Sequence, residues 1–137
     1  MANMKAKYLG GLRCECTHLA SGNVIVTDAP VDNHGKGEAF SPTDLCSTSL
    51  AACMMTIMGI YAEAHGFSVD GMEASITKQM SADPRRIGKI VVELAMPARE
   101  YTDRQKKALE NCAHTCPVHL SLHPDTEQEI IFRWPEA

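Results

Sequence analysis

The chain has 137 residues and a formal net charge of −4 at neutral pH, and 45% of its residues are hydrophobic although only 5% are aromatic. This length suits a single domain over residues 1–137, in which eight methionines must supply much of the core packing. No stripe of lysine and arginine is present, which excludes a general nucleic-acid-binding protein, because such proteins use basic residues to displace counterions from phosphates.

The six cysteines and the N-terminal segment bear on the cellular compartment. Residues 1–7 are followed by no long apolar run, so we expect no secretory signal. In a protein that is not exported, cysteines are more often thiols than a disulfide framework. We therefore expect a cytoplasmic protein with free thiols.

The first forty residues predict strands followed by a loop. A strand pattern covers residues 8–17 around a Gly-Gly pair, and a turn signal at 21–23 precedes the β-branched run 24–27. Residues 28–39 are rich in proline, glycine, aspartate and asparagine, and they predict a loop. This loop leads into a helix, a position that often shapes a site.

The segment from Leu45 to Ala62 contains no charged residue. It is long enough to be a candidate membrane span, but serine and threonine dilute its hydrophobicity and no basic cluster flanks it. We therefore predict a buried helix of a soluble protein and no membrane association. Ser41 and Asp44 form a capping box at its start, and Gly66 is the expected C-terminal cap.

Two strands are predicted next, over residues 68–80 and 87–96, with a turn at Asp83-Pro84 between them. In the second strand Ile90, Val92, Leu94 and Met96 occur at every other position, which indicates one buried face.

A second helix is predicted to begin at Thr102, where Gln105 completes a capping box. Its apolar face contains Leu109, Cys112, Ala113 and Cys116. Proline disfavours helix at the residue before it, so this helix should end near Thr115 or Cys116. A short helical turn at 118–122 and a strand at 129–134 complete the chain.

The order of strands, long helix, two strands, helix and strand predicts an α+β domain with a mainly antiparallel sheet. A two-layer arrangement covers only one side of a helix that is apolar on nearly every face. A homodimer is the simplest way to cover the other side.

Cys53 in the long helix and Cys116 directly before Pro117 have the arrangement of a two-cysteine redox site, in which one thiol reacts with an oxidant and the other resolves it. Cys53 could instead be an ordinary core residue. Cys116 should be the more exposed of the two, because a chain reversal at Cys-Pro often exposes the cysteine. A reactive thiolate needs a positive group nearby. The candidates for that group are Arg13, Arg85 and Arg86.

A metal site is the weaker interpretation of the cysteines and histidines. They cluster at Cys112, His114, Cys116 and His119, and again at Cys14, Cys16 and His18. Zinc ligands usually come in pairs two to four residues apart in turns, and neither cluster has that pattern. We therefore predict no metal.

Several segments together resemble the OsmC/Ohr family of osmotically inducible and organic-hydroperoxide-resistance proteins. They are Thr27-Asp-Ala-Pro, Gly35-Lys-Gly, Phe40-Ser-Pro-Thr-Asp-Leu, Ser49-Leu-Ala-Ala-Cys53 and Thr115-Cys-Pro-Val. The resemblance extends from about residue 5 to residue 134, and it is closer to the broad OsmC-like branch than to the best-known peroxidases.

The resemblance implies an intertwined homodimer with two long helices at its centre and active sites at the dimer interface. It implies that Cys53 is the peroxidatic thiol and Cys116 the resolving thiol of an enzyme that reduces organic or fatty-acid hydroperoxides. No cofactor would be bound, and an external dithiol, often lipoyl-linked, would be the reductant. The alternative is a non-catalytic OsmC-like protein that binds an apolar ligand or senses oxidant.

One position departs from the pattern of the family's peroxidases. They carry a glutamate ten residues before the helix cysteine, where it orders an arginine over the thiolate, and this chain has Thr43 there. Arg13 lies in about the right region to be that arginine. The resemblance assigns no role to the other four cysteines, which are Cys14, Cys16, Cys46 and Cys112.

Overall fold

The structure is a computed structural model that describes residues 1–136. The chain divides into two compact units, Met1–Cys46 and the part that begins at Ser47. The long helix α1, Pro42–Ala64, contributes its first residues to the first unit and the remainder to the second.

The first unit is an antiparallel sheet in the order β1-β2-β3, formed by Met4–Gly10, Arg13–His18 and Val24–Asp28. The predicted turn at 21–23 is confirmed, because the Gly22 N–H donates to the His18 carbonyl at 2.8 Å. The strand predicted over 8–17 is instead parts of two strands, because Gly10 and Gly11, with φ angles of 84° and 62°, turn the chain between β1 and β2. The predicted loop that follows β3 contains a short 3₁₀ turn, Val31–Asn33.

Much of the apolar surface of this first sheet is exposed in the single chain. The large hydrophobic side chains concerned are Met4, Tyr8, Leu9, Val24, Ile25 and Val26. A monomeric soluble protein rarely exposes a contiguous apolar surface of this kind.

The predicted ends of α1 are confirmed. The Ser41 N–H donates to Asp44 Oδ2 and the Asp44 N–H donates to Ser41 Oγ, each at 3.0 Å, which is a reciprocal capping box. At the other end Gly66 adopts a φ of 75°, and the N–H of Phe67 donates back into the last turn at 3.1 Å. This Schellman motif satisfies carbonyls that would otherwise lack partners.

One face of α1 lies in the protein core, and this face consists of Ser47, Leu50, Ala51, Met54, Met58 and Ala62. On the opposite side of α1 the described residues leave Ile60 59% exposed. The expectation that a partner covers this side stays a prediction.

By length and composition α1 is also apolar enough to cross a membrane, with a mean hydropathy of 1.6 over its most apolar window, 33% of which is buried. The core helix of a soluble protein meets the same criteria, so this observation is weak evidence for a span.

The second unit contains the sheet β4-β5-β6, formed by Glu73–Ser81, Arg86–Ala95 and Glu127–Arg133. The predicted alternation in β5 is confirmed, because Ile90, Val92 and Leu94 are fully buried. Strand β4 begins later than predicted: the N–H of Met72 donates to the carbonyl of Val69 at 3.1 Å, and this turn occupies the start of the predicted strand.

Two helices connect β5 to β6, namely α2, Asp103–Ala113, and α3, Pro117–Ser121. The predicted capping box of Thr102 and Gln105 is present. Helix α2 ends slightly earlier than predicted, at Ala113. The long crossover allows β6 to pair with β5 in parallel.

The predicted α+β class with mainly antiparallel pairing is confirmed. The described residues form two three-stranded sheets, in which β5 and β6 make the one parallel pair among the four strand pairs.

A matched pair of leucine truncations tests where the core lies. Leu94→Ala removes a fully buried side chain and should lower the free energy of unfolding by about 2–5 kcal/mol. Leu120→Ala, at a residue that is 70% exposed, should change it by less than about 0.5 kcal/mol. Guanidinium unfolding of both variants measures the difference, and equal losses would contradict this assignment of the core.

Candidate active site

Cys53 lies near the middle of α1, one residue before the fully buried Met54. Its own side chain is only partly buried. It packs at the margin of the core rather than inside it, so the interpretation of Cys53 as an ordinary core cysteine is not favoured. In this position its side chain packs against the core and is also partly accessible to solvent.

Cys116 is fully buried, so the expectation that the Cys-Pro reversal exposes it was wrong. The reason is local: Cys116 is the N-cap of α3, with Pro117 at the first helical position. Its Sγ accepts the main-chain N–H of His119 at 3.3 Å. A sulfur that caps the helix is held inward, and it joins Leu109 and Ala113 in the core.

The structure brings these two cysteines together. Both are free thiols, and they lie close enough for Cys53 to raise the pKa of Cys116. Burial is the main factor that raises this pKa, while the main-chain N–H groups of His119 and Val118 oppose it. Cys116 therefore keeps its proton at neutral pH, and Cys53 is the more exposed thiol of the two.

His119 is held against Cys116 by Gln128 of β6. The Nδ1 of His119 and the Oε1 of Gln128 share a hydrogen bond, and Gln128 Nε2 donates to the His119 carbonyl at 3.2 Å. The sequence presented His119 only as a candidate metal ligand and gave Gln128 no role. The one available signal was that His119 follows Cys116 by three residues, the spacing at which an N-cap side chain accepts a main-chain N–H.

The candidate arginines already have partners. Arg13 Nη2 lies 3.4 Å from Asp28 Oδ2 and 3.3 Å from Glu38 Oε2, all within the first unit. The Glu38 N–H, followed by Arg13, lowers the pKa of the buried Asp28. Arg86 donates to main-chain carbonyls, and Arg85 also has an interaction partner. A role for any of them at the thiolate stays a prediction.

Thr43, at the position of the family's glutamate, lies within the first turn of α1. Its hydroxyl is 3.1 Å from the hydroxyl of Ser41. It therefore belongs to the polar cluster that begins the helix, and it supplies no carboxylate.

The other cysteines are distributed over three elements: Cys14 and Cys16 are on β2, Cys46 is in the first turns of α1 and Cys112 is on α2. Burial raises the pKa of Cys112. Within residues 1–136 no group of three or more His, Cys, Asp or Glu side chains is close enough to hold a metal ion.

An open cleft of about 670 Å³ lies elsewhere in the second unit. Its lining includes Tyr101, Thr102 and Lys106, and neither Cys53 nor Cys116 borders it. A substrate for the thiol pair would therefore have to approach by another route.

Comparisons with known proteins find a family model and solved structures that resemble this chain. A family model described as OsmC-like protein matches residues 35–130. A proposed osmotic stress induced and detoxification response protein from Psychrobacter arcticus 273-4 is 49% identical, with a TM-score of 0.92 over 96% of each chain. A search of curated proteins gave no match.

Two more distant structures share the fold. The organic hydroperoxide resistance protein OsmC of Legionella pneumophila has a TM-score of 0.70 at 19% identity, over 97% of this chain and 98% of its own. OhrB of Bacillus subtilis, an organic hydroperoxide resistance protein, has a TM-score of 0.65 at 16% identity with the same coverage.

The raised pKa of Cys116 predicts how stability depends on pH. The pKa of Cys116 in the folded protein lies above the ordinary value of 9.0. The contribution of this thiol to the free energy of unfolding is therefore fully present below about pH 9 and is lost as the pH rises through the folded pKa. In reducing buffer, Cys116→Ala should therefore lose less unfolding free energy than the wild type between about pH 8 and pH 10.5. Guanidinium titrations measure this, and parallel pH curves for the two proteins would contradict it.

Proposed function

The chain belongs to the OsmC-like protein family, and from this premise we propose that it is a thiol-dependent reductase of organic, lipid-type hydroperoxides. The observation that carries the proposal is the close approach of the free thiols of Cys53 and Cys116, at which Cys53 raises the pKa of Cys116. The names of the Legionella and Bacillus proteins that share its fold, which denote resistance to organic hydroperoxides, support the same class of substrate.

The first step is an attack by the Cys53 thiolate on the distal oxygen of the hydroperoxide. The O–O bond breaks, the sulfur becomes a sulfenic acid, and the alkoxide takes up a proton and leaves as an alcohol. Cys53 suits this step because its side chain is partly exposed, whereas that of Cys116 is fully buried.

The second step is resolution by Cys116. Its thiol loses a proton and its sulfur attacks the Cys53 sulfur; the S–O bond breaks, and the hydroxide leaves as water with that proton. The two side chains already lie close enough for Cys53 to raise the pKa of Cys116, so this step needs little movement of the backbone. A fast resolution protects Cys53 from further oxidation.

An external dithiol completes the cycle in this proposal, and no bound cofactor takes part. Reduction requires a thiolate to attack one sulfur of the disulfide along an open path. Cys53 is the accessible side of the pair, and Cys116 is the buried side. The dithiol should therefore form its mixed disulfide with Cys53 and release Cys116 as the thiol.

The helix face around Cys53 supports an apolar substrate. Ile57 and Ile60 follow Cys53 at helical spacing, and neither is fully buried by the chain. An alkyl chain beside this face would remove apolar surface from water, at about 25 cal/mol per Å² buried.

A second copy of this chain is the proposed partner. The uncovered side of α1 and the exposed first sheet both present large apolar residues, among them Ile60 and Ile25. A homodimer would bury these surfaces and would also narrow the approach to Cys53. A cytoplasmic location stays a prediction.

The activity is tested by peroxide consumption with dihydrolipoamide as the reductant. The wild type should turn over cumene hydroperoxide faster than hydrogen peroxide, because the apolar face favours an organic substrate. Cys53→Ser should abolish turnover, and Cys116→Ser should lose most of it through overoxidation of Cys53. Loss should be at least about a hundredfold for Cys53→Ser, since the nucleophile is removed.

Cys14→Ser is the matched control, because it removes a partly buried thiol from β2 and should retain wild-type turnover. If the wild type does not turn over, or if turnover is indifferent to Cys53, the proposal is wrong and the alternative of an apolar-ligand-binding protein is favoured.

The dimer is tested by sedimentation equilibrium at micromolar concentration. The wild type should be a dimer, and Ile60→Glu should weaken association at least about tenfold, because it places a charge on the uncovered face of α1. Leu120→Glu, on the 70% exposed Leu120 of α3, is the control and should remain dimeric. A monomeric wild type would remove the second copy from this account.

A further inference from the structure

Gln128 makes two hydrogen bonds to one residue, His119. Its Oε1 bonds to the ring Nδ1, and its Nε2 donates to the His119 carbonyl at 3.2 Å. The remaining main-chain group of His119, its N–H, donates to Cys116 Sγ at 3.3 Å. His119 is thus fixed between a strand on one side and the buried thiol on the other.

These bonds determine which ring nitrogen carries the proton. The amide nitrogen of Gln128 must face the His119 carbonyl, because a carbonyl only accepts. The amide oxygen therefore faces Nδ1, and since that oxygen also only accepts, Nδ1 must carry a hydrogen. The ring cannot exchange the two nitrogens without losing this bond, so Gln128 fixes its orientation as well as its tautomer.

The anchor of this arrangement is β6. Gln128 pairs in parallel register with the fully buried Ile90 of β5. Just before the strand, Thr126 Oγ1 donates to the Ile87 carbonyl at 2.9 Å. Two contacts with β5 therefore hold the strand at Gln128: the pairing with Ile90 and the Thr126 hydrogen bond just before the strand.

We propose that Gln128 is a positioning residue for the resolving thiol: by holding the ring and the carbonyl of His119, it keeps the His119 N–H directed at Cys116 Sγ. This inference rests on the proposed function, because it concerns the step in which Cys116 attacks Cys53. The N–H stabilises the negative charge that develops on Sγ when the thiol loses its proton.

The physical need for such a donor follows from the burial of Cys116. A fully buried thiolate loses its hydration and requires a fixed dipole or charge in its place. The His119 N–H is one of two main-chain donors that lower the pKa of Cys116, the other being the Val118 N–H, and the Cys53 thiol of α1 is the titratable group that raises it. The ring of His114, at the end of α2, lies 6.1 Å from the ring of His119. Gln128, from β6, is uncharged.

The test follows formation of the Cys53–Cys116 disulfide against pH, from about pH 7 to pH 11, by rapid quenching and peptide mass spectrometry, a range that extends above the ordinary thiol pKa. It uses the full chain with two oxidants: cumene hydroperoxide, and diamide, which oxidises thiols without any peroxidase site. Gln128→Met keeps the side-chain length but removes both the donor and the acceptor. The midpoint of its pH profile should move up by about one pH unit with either oxidant, because the thiolate of Cys116 loses its positioned donor.

Gln128→Glu is the second variant, which keeps an acceptor for Nδ1 but cannot donate to the His119 carbonyl. It should also move the midpoint upward, and it serves if Gln128→Met does not fold. His114→Gln is the matched control: it removes the neighbouring imidazole, which has no hydrogen bond to the pair, and should move the midpoint by less than about 0.3 pH units.

The outcomes separate this inference from the proposed function. If diamide gives the upward shift while cumene hydroperoxide fails to oxidise the wild type, the positioning role stands and the hydroperoxide reductase does not. If the Gln128 variants follow the wild-type profile with diamide, or if His114→Gln shifts it equally, the positioning role is overturned. A wild type that forms no Cys53–Cys116 disulfide with diamide overturns it as well.

Discussion

The close approach of Cys53 and Cys116 depends on one constraint, which is that Cys116 begins a helix. Pro117 cannot continue a helix from the preceding segment but suits the first position of a new one. The sulfur of Cys116 then becomes the cap of that helix and is turned into the core. The core face of α1 meets it there, so the same packing that stabilises the second unit also brings the two thiols together.

This constraint places the two cysteines in different environments. Cys116 is buried, keeps its proton and is held by the His119 N–H, whereas Cys53 lies at the margin of the core beside an uncovered helix face. In the proposed cycle both the oxidant and the external reductant reach the pair at Cys53, which is the more exposed thiol. Thr43 supplies no carboxylate at the position of the family's glutamate, and Arg13 pairs with Asp28 and Glu38 within the first unit. A role for Arg13 at the thiolate stays a prediction.

Local signals predicted most of the fold. The capping box at Ser41, the glycine cap after α1 and the alternation in β5 each depend on a few neighbouring residues, and all three are confirmed. Cys116 was predicted to be exposed but is buried. The prediction failed because tertiary packing, as well as the Cys-Pro pair, directs a side chain that caps its own helix. The role of Gln128 could not be predicted, because it depends on a parallel pairing across a crossover, and the spacing of residues carries no signal for such a contact.

The central claim is that Cys53 and Cys116 form one redox pair. The most direct measurement is a complete thiol and disulfide map of the protein after one equivalent of cumene hydroperoxide, by peptide mass spectrometry under non-reducing conditions. The account predicts the loss of two thiols and a single new cross-link between the peptides that carry Cys53 and Cys116, with the other four cysteines still reduced. A cross-link between Cys112 and Cys116, or between Cys14 and Cys16, would contradict it.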